Sequence, residues 1–460
     1  MRIFQRNHLE ALRNWRNSNR RKPLIIRGAR QVGKTTLVRD FSADFSQFIH
    51  LNLEKKTDRE YFEIHDVKKI IDSLLIENKL RNNLGDTLLF IDEIQESERA
   101  IELLRYFYEE LPELNVVAAG SLLEFALSGI KGFPVGRVSY LYLSPVNFSE
   151  FLYATGNNEL LNRLHTPPFE NHLHRAALRL FNDYTMIGGM PEVISEFLQT
   201  GSPVGLSDIY DEINTAYRED IVKYASSKKE QDILQHLIAS APLFADRRVT
   251  FHNFGNSGFR SIDVSSAFRR LQQAGICQLI YPTTRNLPPL IPGLKKAPRI
   301  QWLDTGLLIH ALGLQAKVSM LDDLSDSWKG ALVPHIVTQE LLSTNTTTFT
   351  KPVFWVRQKT QSQAEVDLLL DIGPHPVPVE IKSGPAGRLR SLHQYIDRSD
   401  TDFAVRLYAG PCAYEQHKTA GGKPFKLLNL PYYLAYWLED YVNWYRSKLI
   451  GSPSGHNNSQ

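Results

Sequence analysis

The stretch "GARQVGKTT", residues 28–36, follows the apolar run "PLIIR" and fits the spacing GxxxxGK[ST]. Glycines at 28 and 33 let the backbone bend until the N–H groups of Ala29, Arg30, Gln31 and Val32 face inward on an anion, and the following helix adds its positive end. Lys34 then reaches the outer phosphates of a nucleoside triphosphate, Thr35 offers a hydroxyl to magnesium, and Thr36 continues the first helical turn. A second piece of chemistry lies at "LLFIDE", where an apolar strand runs straight into Asp92 and Glu93. Acids at the carboxyl end of a strand occupy the edge where open α/β sheets bind ligands. Asp92 suits a water-mediated magnesium contact and Glu93 suits polarising an attacking water; capping the next helix is the plainer role for the same pair. A third group, Asp367, Glu380 and Lys382, falls within "EVDLLLDIGPHPVPVEIKSG" (365–384). Side-chain alternation puts Glu380 and Lys382 on one face of a strand with Ile381 turned to the core, and Asp367 arrives on the neighbouring strand. Such carboxylates could hold one magnesium ion while the lysine positions a water. A salt-bridge pattern protecting an edge strand is the alternative.

These residues need elements to position them. "PLIIR", "QFIHLNL", "TLLFIDE", "LNVVAAGS" and "RVSYLYL" alternate with helix-like segments, which predicts a parallel sheet with helices on both faces. In the ATPase class with a catalytic glutamate after the magnesium aspartate, a strand lies between the P-loop strand and the acid strand, and its polar tip reaches the γ-phosphate. Ser121 is the candidate for that sensor, and equally an N-cap for the helix "LLEFALSG". Arg137, just before the next strand, could reach the γ-phosphate of a neighbouring subunit in a homo-oligomer; a plain surface role is the other reading.

At 460 residues the chain has room for about three domains. A net charge of +3 is too small to imply nucleic-acid or membrane binding by itself, so any basic surface must be local. Cys277 and Cys412 are the only cysteines, which leaves no disulfide framework or Cys-rich zinc site and fits a reducing, cytoplasmic setting. The basic start has no apolar core and no later run reaches the roughly 18 apolar residues of a membrane span, so neither export nor a membrane partner is expected. Phe4, Leu9, Leu12 and Trp15 predict a helix packed on the first domain with its arginines in water.

Residues 22–151, with "GARQVGKTTL", "LLFIDEIQ", "VVAAGS" and "LSPVNFSEFL", resemble the AAA-type ATP-binding domain of a large bacterial and archaeal family whose second half is a domain of unknown function. "GGMPEVI", "YREDIVKY" and "VEIKSG" extend the resemblance over nearly the whole chain. It implies an α/β P-loop NTPase domain that takes ATP and Mg2+. Related signalling ATPases lay the proline of a Gly-x-Pro against adenine, so Gly189 and Pro191 are expected to close the nucleotide pocket or to form a plain interhelical turn.

The middle reads as helix, then "IDVSSAFRRLQQAGICQLIYP" as a winged helix-turn-helix, with Val264, Ala267, Phe268, Leu271 and Ala274 on one side. Arg247, Arg248, Arg260, Arg269 and Arg270 could meet DNA phosphates, or could lie on an ordinary solvated face of a protein-docking module. The last region gives helix, three strands, helix, strand, a succession similar to the restriction-endonuclease-like core of the PD-(D/E)xK group. Nucleases of that group carry a further acid on the first helix, where this chain has Pro334, which cannot bind a cation and is expected to shift the helix start. Glu340, six residues on, lies roughly 240° further round. The expected division is 1–155 for the ATPase domain, 156–300 for the lid and winged helix, 301–450 for the nuclease-like domain and 451–460 for a disordered tail. Three readings follow: an ATP-hydrolysing switch acting on DNA or a protein partner, an ATP-dependent Mg2+ nuclease, and a nucleotide-stabilised scaffold.

Overall fold

The computed structural model describes residues 4–121, 136–203, 205–223, 225–314, 329–347, 349–358, 364–384 and 389–451. The helix expected at "LLEFALSG" and the tail from residue 452 lie outside them. Five short runs form the first sheet: β1 (Leu24–Arg27), β2 (Gln47–Asn52), β3 (Thr87–Asp92), β4 (Asn115–Ala119) and β5 (Ser139–Tyr142). Every neighbouring pair is parallel, in the order β2-β3-β4-β1-β5. All residues of β3 and β4 are buried, as a sheet covered on both faces requires. One face receives α1 (His8–Arg16) and α2 (Lys34–Ser42), whose Leu37 and Phe41 meet Ile26 and Phe90. The short α3 (Lys56–Glu60) leads to α4 (Val67–Glu77), which with α5 (Glu98–Glu110) packs Ile70, Leu74 and Leu104 on Ile25 and Leu89 of the other face. Each such apolar side chain contributes about 1.5–3 kcal/mol on burial. Asp66 and Ser97 cap α4 and α5 through their first free N–H groups. A strand, β4, therefore separates the P-loop strand from the acid strand, as expected from the ATPase class with a glutamate after the aspartate.

Next come α6 (Phe148–Ala154), α7 (Asn158–His165), α8 (His174–Ile187), α9 (Pro191–Thr200), α10 (Leu206–Lys223), α11 (Lys228–Ser240) and α12 (Ser261–Gln273). Pro191 opens α9, where its fixed φ suits a first turn and no N–H is missed. After α12, whose Val264, Ala267, Phe268 and Leu271 are buried, the chain turns at Gly275 into β6 (Cys277–Ile280). β6 pairs antiparallel with β8 (Arg299–Trp302), and between them β7 (Pro282–Thr283) leaves to join another sheet.

That sheet has seven strands, ordered β13-β14-β12-β11-β10-β9-β7. Its remaining members are β9 (Val353–Val356), β10 (Glu365–Leu370), β11 (Val377–Ile381), β12 (Phe403–Tyr408), β13 (Ala413–Lys418) and β14 (Pro424–Pro431), with α13 (Thr305–Ala311), α14 (Lys329–Ser343), α15 (Arg390–Ile396) and α16 (Leu438–Gly451) around them. The expected helix, three strands, helix, strand order is present, and β13 and β14 extend it. Two details differ from expectation. β10 and β11 each have paired neighbours on both sides, so the acids and Lys382 do not protect a sheet edge. Pro334 sits inside α14, which already begins at Lys329, so it removes the bond that an N–H there would make to the Gly330 carbonyl oxygen.

One apolar core runs from Val146 and Phe148 through α8, α10 and α12 to Tyr432 and Tyr441. β7 precedes residue 300 yet pairs with β9, and α13 follows it yet packs on α8. Among the described residues no helix is long and apolar enough to cross a membrane.

Candidate nucleotide site and the C-terminal carboxylates

Between β1 and α2 the backbone takes left-handed turns at Gln31 (φ 63°) and Gly33 (φ 93°), the alternation that turns successive N–H groups to one side. At Gly28 a Cβ would overlap the Leu143 carbonyl oxygen, so close approach of β5's exit demands glycine there. Lys34 is buried and donates to the carbonyl oxygens of Ala29 (2.8 Å) and Gly28 (3.2 Å). Burial pulls its pKa down to about 8, against the pull of Glu93 and Asp92. Thr35 Oγ1 donates to Asp92 Oδ2 at 2.8 Å, bringing the two residues expected around magnesium together. Glu93 stands just past β3 in the left-handed region (φ 50°), uncommon for its residue type and frequent at functional sites. Its carboxylate accepts from Gln95 Nε2 at 2.6 Å, and Ser121 Oγ lies 3.5 Å away.

The other expected residues are placed less centrally. Pro191 reaches the cradle: a Cβ on Gly33 would lie 3.7 Å from its Cγ. Gly189 packs so tightly on Val146 that a Cβ would overlap that residue's carbonyl oxygen. Arg137 lies on the surface and donates to Glu109 at 2.9 Å. Arg30 is exposed and binds Asp220 of α10 at 2.6 Å, while Tyr217 of the same helix donates to the Arg30 carbonyl oxygen at 2.8 Å.

Sequence reasoning missed Arg6. The expectation that the N-terminal arginines lie in water holds poorly here: Arg6 is 6% exposed and donates to the carbonyls of Val32 (3.0 Å) and Ser144 (2.6 Å). Glu150 pairs with it at 3.1 Å. Burial alone would raise the Glu150 pKa, but Arg6 and His8 outweigh it and hold it low. Glu150 also closes a capping box with Asn147 at the start of α6. The only signal was "N-x-x-E" at residues 147–150; nothing local ties that acid to Arg6.

Glu340 is another buried acid, turned away from β10 and β11. It accepts from the Phe148 N–H at 3.1 Å and lies 2.7 Å from the Tyr184 hydroxyl, which also lies 2.9 Å from the Val146 carbonyl oxygen. Tyr184 has one proton for two acceptors. Burial pushes the Glu340 pKa up to about 8, and a protonated Glu340 settles the account by donating to Tyr184, which donates to Val146. Asp304 nearby accepts from the Gly189 N–H (2.5 Å) and caps α13.

In the C-terminal sheet the acids already have a cation. Arg299 of β8 is 12% exposed in its side chain, donates to Glu365 and to Asp367 Oδ1 (3.1 Å), and lies 3.6 Å from Asp246. Burial works against its charge, but Asp246, Asp367 and Glu365 together outweigh that and raise its pKa. Asp367 Oδ2 accepts from the Ile381 N–H at 2.8 Å. Lys382 binds Glu380 Oε1 at 2.6 Å, leaving Oε2 buried without a hydrogen-bond partner. Burial, then Asp367, raise the Glu380 pKa, with Lys382 opposing. Among the described residues no cluster of three or more His, Cys, Asp or Glu is arranged to hold a metal ion. Of the five arginines considered for DNA, Arg248, Arg260 and Arg270 are paired internally with Glu365, Asp263 and Glu230.

Residues 20–152 match the AAA domain family AAA_14. The first domain is an AAA domain. Residues 178–318 match a domain of unknown function, DUF8612, and residues 329–432 another, DUF4143. No curated protein matches the chain. Among solved structures, the chain is similar to a Walker-type ATPase of Pyrococcus abyssi at 13% identity, covering 66% of this chain and 95% of that one with a TM-score of 0.44. The Aeropyrum pernix ORC1 protein in complex with DNA matches at 13% identity, 68% and 91% coverage and a TM-score of 0.29. The S. cerevisiae Hsp104–ADP complex matches at 14% identity, 58% and 38% coverage and a TM-score of 0.27.

Proposed function

We propose that the chain is an ATP-driven switch: its AAA domain binds and slowly hydrolyses ATP, and the nucleotide state is passed to the regions packed on it. The observation that carries this reading is the convergence of Lys34, Thr35, Asp92 and Glu93 at one sheet edge, with Thr35 and Asp92 bonded at 2.8 Å. The amides of residues 29–36 take the phosphates, and an arriving phosphate draws Lys34 off its two neutral carbonyl acceptors and favours its charged form. Arg6 and Pro191 flank Gly33 and would close over the nucleotide. Thr35 and Asp92 fit a magnesium ion by donor type, and such an ion would neutralise phosphate charge. Glu93 accepts the proton of the attacking water and Ser121 stands beside it to orient the γ-phosphate. Arg137 would act on a neighbouring subunit's nucleotide in a homo-oligomer.

Output in this reading is contact with DNA or a protein partner through the α12–β6–β8 unit, read as a winged helix. The C-terminal carboxylates hold Arg299 and do not cut phosphodiesters. The test is phosphate release from Mg·ATP by the wild type, Lys34→Ala and Glu93→Gln, with and without duplex DNA. Turnover lost in both variants is expected. Absence of Mg·ATP uptake by folded wild-type protein would sink the proposal.

A further inference from the structure

A cavity of about 390 Å³ lies where the P-loop, α12 and the start of the C-terminal region meet. It borders the cradle at Gly28 and Ala29, while Arg30 to Thr36, Asp92, Glu93 and Ser121 are not among its walls, so it lies beside the phosphate site. Its volume is in the range of a small-molecule site.

The chemistry of the walls is one-sided. Arg27, Arg269 and Lys351 line it, and no carboxylate does among the described residues. Tyr142 and Phe349 present aromatic rings with centroids 5.4 Å apart, and Trp302 adds a third ring. Between the rings and the cations stand amides: Gln272 and Gln273 follow Arg269 at i+3 and i+4 on one face of α12, and Gln278 comes from β6. Gln272 is committed, accepting from Lys351 Nζ at 2.6 Å and from the Leu279 N–H at 2.9 Å. That bond holds Lys351 at the wall. A primary amide offers a donor and an acceptor side by side, which matches the edge of a heterocyclic base. Aromatic faces suit the flat surface of that base, and cations suit an attached phosphate.

We propose that this cavity is a second nucleotide site, one that binds a nucleoside monophosphate, with the base between Tyr142, Phe349 and the α12 amides and the phosphate toward Arg269 and Lys351. The site does not depend on ATP turnover: of the phosphate cradle it shares only Gly28 and Ala29, at the cradle's first residues. Its place in the fold gives it a role. A Cβ on Gly275, the turn after α12, would lie 3.3 Å from Ala29, so a ligand bound here bridges the α12 unit to the first residues of the P-loop.

The test uses the full chain and AMP as probe, titrated by calorimetry. One AMP per chain is expected, with affinity unchanged within about twofold in Lys34→Ala and weakened at least tenfold in the Arg269→Glu, Gln273→Leu double variant. Both replaced residues lie on the polar face of α12, and the double variant should keep the wild-type melting curve and Mg·ATP uptake. Ribose 5-phosphate, which carries the anion without the base, should bind at least tenfold more weakly than AMP. No AMP uptake, uptake lost in Lys34→Ala but retained in the double variant, or equal binding of ribose 5-phosphate would each overturn the assignment.

Discussion

The P-loop and the C-terminal carboxylate cluster are both built from acids and cations gathered at strand ends, and they differ in what already satisfies the charge. In the cradle Lys34 rests on neutral carbonyl oxygens and Asp92 on a hydroxyl. Such contacts, with one charged and one neutral partner, are worth about 1.5–3 kcal/mol each and yield to a ligand of full opposite charge. In the cluster, Arg299 lies among Asp246, Glu365 and Asp367 as a guanidinium nearly out of water. A cation that displaced it would leave one buried charge unmatched in exchange for another. Similar residue types thus prepare one region for a ligand and lock the other.

The sharpest way to break this contrast is Arg299→Ala. Removing one partner of a buried ionic group is expected to cost about 3–5 kcal/mol, measured as a fall in urea midpoint. Asp367→Asn should cost less in that background than in the wild type, because its partner is already gone. Equal costs in the two backgrounds would show that the pair is not coupled. In the cradle, Glu93→Gln should lower ATP turnover by about 10²-fold, or about 2.7 kcal/mol in barrier, while Mg·ATP affinity stays within about threefold. Gly28→Ala should lower the melting temperature through overlap with the Leu143 carbonyl, at about 1–3 kcal/mol, and weaken nucleotide uptake with it.

Glu340→Gln should be silent at low pH and show its effect as a pH signature. The Glu340 pKa rises from 4.5 to about 8 in the fold, so its contribution to stability is full below pH 4.5 and is lost as pH rises through about 8. The amide of glutamine can donate to Tyr184 and accept from Phe148 at any pH. Near pH 5 the variant should match the wild type in urea midpoint, and near pH 8 it should be the more stable. A variant equally destabilised at both pH values would mean that Glu340 is ionised in the fold.

Local spacing made the cradle legible. Gly28, Gly33, Lys34 and Thr35 act within one turn of chain, and Asp92 and Glu93 are placed by the apolar strand before them. The strand inserted between them followed from the likeness to the ATPase class with a glutamate after the aspartate, because the order of apolar runs along the chain does not fix their order in the sheet. Arg299 was not legible, because 68 residues separate it from Asp367 and only the fold of β8 against β10 brings them together. Arg6 was hidden for a similar reason: in a basic run near the N-terminus nothing local marks it as a buried arginine. Helical phase turned Glu340 away from Asp367 correctly, yet gave no hint that Tyr184, 156 residues upstream, awaits it.

Helix α10 touches the P-loop near one end, through Tyr217 and Asp220, and near the other end Tyr210 donates to the Ile187 carbonyl oxygen at 2.6 Å, beside the turn that carries Pro191. Its 18 residues make a rod about 27 Å long. Rotating such a rod by about 5° about Tyr217 sweeps Tyr210, about 10 Å away, through roughly 1 Å, by the same helical rise. An adjustment of the Arg30 carbonyl is thereby transmitted, without loss of amplitude, to the turn from which Pro191 starts its helix.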